Sequence, residues 1–338
     1  MTEPSIFPPA PPSAPRPSSP TIPEPAPSSA GMGAVLVTGI CGRLGKQVAR
    51  ALHRSGRVVG VDRRPFVDKP KDVDHAQIDI RRKKLKDVFR AGDIEAVVHL
   101  GVMHDPRASA SEHHSWNVAG FTKLLEYVGQ FQIPKLVVLS SANVYGPQAQ
   151  NPQFLAEDAP LLGGQDFSDI RDLVEVDMLA QSFFWKLPET ETVILRPVHI
   201  LGTVRNAASN FLRKNPVFTV MGFDPMAQVI HESDVVGAIQ RALLPGVRGI
   251  FNVAGSEPVP LSRIVKILGR QRVSVPYSVA RAVLKRMWSL RLTTFPPPEL
   301  DHIRFVCMVD DRRARHVLGF TPKKTLEETV LSVDDGLW

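Results

Sequence analysis

Among the 338 residues there are only two cysteines, Cys41 and Cys307. Two cysteines make no disulfide framework, and their placement matches no metal-ligand spacing. We therefore expect no metal site, and we expect a reducing compartment, the cytoplasm. No apolar run approaches the ~20 residues that a membrane-spanning helix needs, so no membrane partner is expected. The opening MTEPSIFPPA lacks a basic stretch followed by an apolar one and does not read as a secretory signal. Tyrosine is almost as scarce as cysteine, with three residues: Tyr127, Tyr145 and Tyr277. Acidic residues fall short of basic ones, 34 against 41, for a net charge of +7. The surplus is scattered apart from short runs such as Arg81-Arg82-Lys83-Lys84, and no aromatics interleave with that run. This excludes the usual signature of a nucleic-acid binder and suits anionic small molecules.

Large apolar residues are nearly absent from residues 1–31, where Pro, Ser and Ala dominate. Such a segment cannot bury enough surface to offset its ordering entropy, so it is expected to be a disordered tail. From Ala34 onward the pattern changes. Apolar strand-like runs at 34–38, 57–62, 77–80, 95–100, 135–141 and 192–197 alternate with helical spacing at 43–55, 110–131 and 169–185. Continuous apolar strands separated by helices predict a parallel sheet covered on both faces. The fold class is thus α/β: a Rossmann-type, doubly wound parallel sheet over 32–200, completed by later segments. Residues 201–338 are read mainly as a smaller C-terminal substrate lobe. That lobe has strands at 217–221 and 249–254 and helices beginning near Glu232, Leu261, Pro276 and Leu326. Its helix 279–292 is basic and amphipathic, which leaves a membrane-surface role open, and the favoured reading is a lobe helix that packs Val283, Met287 and Leu290 inward.

The first strand runs into Thr38-Gly39-Ile40-Cys41-Gly42-Arg43-Leu44-Gly45 and then a helix. Gly39 permits a tight turn, Gly42 lets backbone approach a pyrophosphate, and Gly45 lets helix and strand pack closely. The helix N-terminus offers N–H groups and partial positive charge to phosphates. Asp62, at the end of the next strand, can accept hydrogen bonds from the adenosine ribose hydroxyls and would repel a 2′-phosphate. This predicts NAD as the cofactor. Arg63 and Arg64, which follow, leave NADP open, since an arginine there can pair with a 2′-phosphate.

The spacing Thr-Gly-x-x-Gly-x-x-Gly resembles the extended short-chain dehydrogenase/reductase family, in particular the NAD-dependent epimerase/dehydratases and a bacterial subgroup similar to UDP-glucose 4-epimerase. Further stretches carry the resemblance to the C-terminus. They are Asp79-Ile80, Val98-His99-Leu100-Gly101-Val102, Asn117-Val118-Ala119-Gly120, Ser140-Ser141-Ala142-Asn143-Val144-Tyr145-Gly146, Leu195-Arg196-Pro197 through Gly202, and Gln228 to Val235. The resemblance implies cofactor contacts from Gly39, Gly42, Arg43, Leu44, Gly45, Asp62, Arg63, Asp79, Ile80, Leu100, Gly101, Val102, Asn117, Ser140 and Pro197. It also implies a small-molecule substrate, with nucleotide sugars the compounds that the family handles, and a homodimer paired through helices 111–131 and 169–185.

The family's hydride-transfer chemistry uses a Tyr as base, a Lys four residues later that lowers the Tyr pKa, and a Ser or Thr on the fifth strand. Residues i and i+4 share a helix face, and an ammonium favours a phenolate. Ser141 matches the family Ser. Aligning Asp177 with the family's usual Glu places Asp169 at the Tyr position and Leu173 at the Lys position. Independently of alignment, Phe131, Ala149 and Arg281 stand four residues beyond the three tyrosines, so the chain holds no Tyr-x-x-x-Lys. Asp169, His199 and His104 are candidate replacement bases, although an unperturbed Asp, with a pKa near ~4, is a weak one. The histidines could titrate near neutrality. Tyr145 is expected to be a packing residue. Three readings stay open: an oxidoreductase or epimerase acting on a nucleotide sugar with altered acid–base groups, a cofactor-binding sensor or partner with little turnover, and a hydroxysteroid-type dehydrogenase.

Overall fold

The computed structural model describes residues 33–335 apart from 92, 104–107, 165–167, 291, 294 and 296. The tail at 1–31 and His104 lie outside the described residues, as does the side chain of Asp169.

As far as its sixth strand the chain alternates strands and helices, except that β3 follows β2 directly. β1 (Ala34–Thr38) leads to α1 (Arg43–Leu52), β2 (Val58–Asp62) and β3 (Val73–Gln77), then α2 (Leu85–Ala91) and β4 (Ile94–His99). A long helical segment follows as α3 (Ala110–His114), a π-turn at Ser115–Ala119, and α4 (Gly120–Gln130). Next come β5 (Lys135–Leu139), α5 (Ser168–Lys186) and β6 (Glu191–Pro197). The third strand ends three residues earlier than its sequence suggested. Gln77 pairs with Asp62, the last residue of β2, and beyond it Asp79 turns back to accept from the Arg81 backbone N–H.

The remaining elements are shorter. β7 (His199–Leu201), α6 (Ala207–Leu212), β8 (Val217–Val220), β9 (Met226–Ala227) and β10 (Val229–His231) precede α7 (Glu232–Ala242) and β11 (Gly249–Val253). They are followed by β12 (Val259–Pro260), α8 (Leu261–Ile267), β13 (Arg272–Val275), α9 (Tyr277–Ser289), α10 (Arg312–His316) and α11 (Leu326–Leu331).

Seven strands form one sheet in the order β11-β6-β5-β4-β1-β2-β3, and every neighbouring pair is parallel. β11, which the sequence rhythm grouped with the lobe, thus closes the main sheet. Along β1, Val35 and Val37 enter one apolar core while Ala34 and Leu36 enter another. This is the period-two alternation of a strand buried on both faces. α1 and α7 supply Val48, Ala49, Val235 and Ile239 to the first core. α2, α4 and α5 supply Phe89, Phe121, Leu124 and Phe183 to the second. The short strand pairs β7–β10, β8–β13 and β9–β12 lie apart from the large sheet. A third core, with Leu212, Val217, Leu261, Ile264 and Val330, holds them together.

One expectation fails here in two of its three residues, Met287 being half-buried. In α9 no residue is buried; Val283 is 52% and Leu290 51% exposed, whereas Tyr277, Ala280 and Leu284 pack against the third core. The inward stripe is therefore rotated by about one position. Tyr277, at the helix start, anchors it and carries the i+3 and i+7 positions with it.

Candidate active site

The turn after β1 is set by contacts that tolerate no side chain. Gly39 has φ +73°, and a Cβ there would lie 2.9 Å from the Gly101 Cα, which is backbone of the neighbouring strand end. At Gly45 a Cβ would lie 2.3 Å from the Gly39 carbonyl oxygen, so only glycine lets α1 start this close to the strand. Gly42 caps α1, no side chain occupies the cap, and no acidic residue stands in the first turn. That leaves the helix N-terminal N–H groups and their partial positive charge facing the turn, the arrangement a pyrophosphate requires. Arg43 donates to the Thr203 carbonyl at 2.5 Å, tying the turn to the loop beyond β7. Leu44 is partly buried against the first core.

Asp62 lies beside this turn, and all its acceptor positions are used. The Cys41 N–H donates to Oδ2 at 3.1 Å. Arg64 donates its backbone N–H and Nε to Oδ1 at 3.0 and 3.1 Å, and Nη2 to Oδ2 at 2.9 Å. Burial would raise the Asp62 pKa, but the Arg64 hydrogen bonds outweigh it and hold the carboxyl below its ordinary range. A ribose diol can engage this carboxylate only after the Arg64 side chain, which is 56% exposed, swings away.

Trp116, which sequence reasoning passed over, organises the next part of the cleft. Its Nε1 donates to the Gly101 carbonyl at 3.1 Å. The guanidinium groups of Arg63 and Arg81 lie 4.8 and 5.0 Å from its ring. Arg81 is in turn held by Asp79. The available signal was its position immediately before Asn117-Val118-Ala119-Gly120. Asn117 itself is buried, accepting from the Met103 N–H at 2.7 Å and donating to the Met103 carbonyl at 3.2 Å. Its side chain thus pins the chain beyond β4. Ile80 is 2% exposed and faces Gly120, where a Cβ would lie 2.8 Å from its Cδ1. Beneath Gly101, His99 shares a 2.7 Å hydrogen bond with the Thr38 hydroxyl, and burial lowers its pKa to about 4. Leu100 donates its N–H to the Thr38 carbonyl, and Val102 its own to Leu100.

The opposite side of the cleft is built on a buried ion pair. Arg196 donates from Nε and Nη2 to the two carboxylate oxygens of Asp177, at 2.9 and 2.7 Å. The same carboxylate accepts from the Ser140 hydroxyl at 2.6 Å and from Gln181 Nε2 at 2.8 Å. Arg196 Nη1 donates to the Tyr145 hydroxyl, which donates to Asn252 Oδ1, both at 2.7 Å. This network joins β5, α5, β6 and β11. It commits the Ser140 hydroxyl to Asp177, so a cofactor contact there would come from its backbone. Tyr145 is 1% exposed; burial lifts its phenol to about 12 against the pull of Arg196, which makes it a packing residue and no base.

Ser141 opens the short 3₁₀ turn Ala142–Val144, its Oγ accepting the Asn143 N–H at 3.1 Å. Among the described residues its hydroxyl proton has no acceptor. Leu173, at the position where a lysine was sought, is 3% exposed within the first core. Pro197 ends β6. His199 sits two residues beyond, its ring 5.6 Å from that of His302, at a narrow apolar cavity of about 50 Å³ walled by Phe211, Leu212 and Leu261. Burial and the neighbouring His302 lower the His199 pKa to about 4, which corrects the expectation that it titrates near neutrality. Beside Leu173, His114 Nδ1 lies 3.2 Å from Asp172 and 3.8 Å from Glu175. The ligand atoms of these three residues all fall within 4.8 Å of one another, close enough for one divalent ion to bridge.

An uncharacterized protein of Mycobacterium tuberculosis is 28% identical to this chain over 312 residues, covering 89% of this chain and 82% of that protein. The UDP-glucuronate 4-epimerase of Thermodesulfobacterium geofontis is 33% identical over 151 residues, which is 38% of this chain and 46% of the epimerase. Among solved structures, the fold matches the UDP-glucose 4-epimerase of Thermotoga maritima determined with UDP-glucose, with TM-score 0.70, 19% identity and coverage of 89% of this chain and 97% of that one. It also matches MoeE5 in complex with UDP-glucuronic acid and NAD, with TM-score 0.69, 23% identity and coverage of 89% and 97%. Residues 35–254, which span the glycine turn, the buried ion pair and all seven strands of the large sheet but the first residue of β1, match the NAD dependent epimerase/dehydratase family, and the chain belongs to it.

Proposed function

We propose that the chain holds NAD along the carboxyl edge of β1, β2 and β4 and takes a nucleotide sugar as its second ligand, on which it turns over slowly or not at all. The cofactor reading is supported by the glycine turn, the uncapped start of α1 and Asp62. The nucleotide-sugar reading is supported by relatives whose names and bound ligands are UDP-sugars. The observation that carries the slow-turnover reading is Leu173. A buried leucine can neither lower the pKa of a neighbouring acid nor anchor a ribose. When bound, NAD supplies the hydride acceptor; the protein must supply the proton acceptor. Ser141 can orient a substrate hydroxyl through its free proton. His199, with a pKa near 4, and Tyr145, near 12, are poor acceptors at neutral pH. This also favours a second reading, a cofactor-binding sensor or partner subunit. The chain pairs as a homodimer in this proposal, because α5 turns Met178 (58% exposed) and Trp185 (78% exposed) outward one above the other.

The test is single-turnover absorbance at the reduced-nicotinamide band, with NAD-loaded protein in excess over UDP-glucose and UDP-glucuronic acid. Slow or absent reduction is expected. Rapid reduction by either sugar would overturn the slow-turnover reading and point to Asp169 or His104 as the base. Light scattering of the wild type and of Trp185→Glu checks the dimer, which the substitution should split.

A further inference from the structure

Residues 258–298 contain eight Arg and Lys and no Asp or Glu. This exceeds the net charge of the whole chain, +7. The charge is therefore less scattered than a survey of short runs suggests. The same part of the lobe collects exposed apolar side chains. Of the 13 large hydrophobic residues exposed among the described residues, seven lie between Phe218 and Leu292. Phe218 (53%) and Val273 (38%) are register partners on β8 and β13, and β13 runs through Pro276 into α9.

α9 is two-faced in an unusual way. One stripe, Tyr277, Ala280 and Leu284, packs on the third core. A second apolar stripe, Val279 (49%), Val283 (52%) and Leu290 (51%), faces outward. Positions 279, 283, 286 and 290 follow i, i+4, i+7 and i+11, so Arg286 belongs to this outer face. Leu292, just beyond the helix, is 68% exposed. Arg270 and Arg272 are paired with Asp334 and Asp224, so the cationic character of α9 rests on Arg281, Lys285 and Arg286, all exposed. An outward strip of aliphatic side chains with these cations beside and among them matches a surface that is apolar below and anionic above. The aliphatic groups would enter the acyl boundary while the arginine stem lies along it and its guanidinium reaches phosphate. A second copy of this chain is a poor occupant, because it would bring one cationic segment against another. No helix among the described residues is long and apolar enough to cross a membrane, so attachment would be peripheral.

We propose that the outer face of α9 docks the protein on a bilayer surface carrying anionic phospholipid headgroups. The test is co-sedimentation of the full chain with vesicles of phosphatidylcholine alone and of phosphatidylcholine with phosphatidylglycerol. Binding is expected to the anionic vesicles, to weaken in raised salt, and to fall about tenfold or more in the double variant Val283→Asp, Leu290→Asp, since each substitution removes buried aliphatic area and adds repelled charge. These side chains are exposed, so the variant should keep the wild-type melting temperature and NAD affinity. Binding that survives in the double variant would overturn the assignment to α9, as would failure of the wild type to sediment with anionic vesicles. A wild-type dimer that the double variant splits would also overturn it, and would make a second copy the occupant of the strip.

Discussion

The glycine turn after β1 and the start of α5 line the same carboxyl edge of one sheet, yet they are constrained in different ways. At the turn the demands are steric. A Cβ at Gly45 would lie 2.3 Å from backbone, so the backbone itself enforces the residue. At α5 the demand is chemical. In the slow-turnover proposal position 173 would need a cation to act on a proton, whereas the fold asks only for burial: Leu173 completes the first core and stabilises the domain. The comparison teaches that close backbone packing fixes a residue's identity at a turn, while a core position on a helix face asks only for a side chain that fills it. The Asp177–Arg196 pair ties α5 to β6, and Leu173, Val176, Ala180 and Phe183 pack the helix into the two cores.

Restoring the pair is the strongest way to break this contrast. Asp169→Tyr with Leu173→Lys should raise the single-turnover rate on a UDP-sugar by about 10²-fold or more, the typical contribution of general acid–base groups. A melting curve must accompany it, since Leu173 lies in the core. A folded variant with an unchanged rate would mean that the lobe has changed along with α5.

Asp177→Asn attacks the structural side. It leaves the Arg196 guanidinium buried opposite a neutral amide, and removing one partner of such a pair costs about 3–5 kcal/mol. The urea midpoint should fall accordingly while NAD affinity stays within a small factor. A midpoint close to that of the wild type would show that the network is dispensable.

A pH experiment separates the same two roles beneath the cofactor edge. His99 falls from its ordinary 6.5 to about 4 because burial disfavours the charged ring. Between those values the unfolded chain binds the proton and the folded chain does not. Stability therefore rises with pH across that window and is lost as pH falls from about 6.5 toward 4. His199 and His302, also lowered to about 4, act in the same direction. Chemical denaturation at pH 7 and near pH 5 should show the loss. His99→Asn should make it shallower, and an unaltered slope would exclude His99 as a contributor.

The smallest expected effect sharpens the cofactor side. Arg64→Ala frees Asp62 from its guanidinium and should tighten NAD about three- to tenfold, the scale of one ordinary hydrogen bond, while weakening NADP. Calorimetry with both cofactors reads the ratio. An unchanged ratio would show that Arg64 leaves Asp62 without cost.

Much of the fold was legible because period and punctuation are local. β1, β4, β5, β6 and the helices at 43, 232, 261 and 326 follow from apolar runs and from glycine and proline placement. Ser141 could be read on its strand end in the same way. Functions that depend on which side chains meet were less legible. Asn117 and Ser140, expected at the cofactor, spend their side chains on Met103 and Asp177. Trp116 had only its place before Asn117 as a signal, since its role depends on Gly101, Arg63 and Arg81 arriving from three separate segments.

By itself the sequence determined the parallel sheet, the glycine turn and the absence of any Tyr-x-x-x-Lys, because each is a matter of local spacing along one chain. Only the tertiary structure decided which stripe of α9 faces outward, that Arg64 occupies Asp62, that β11 joins the large sheet, and that His199 is too weak a base near neutrality. Those outcomes depend on burial and on partners distant in sequence. Desolvation, ion pairing and the choice between two apolar stripes are settled only when segments far apart in the chain come into contact.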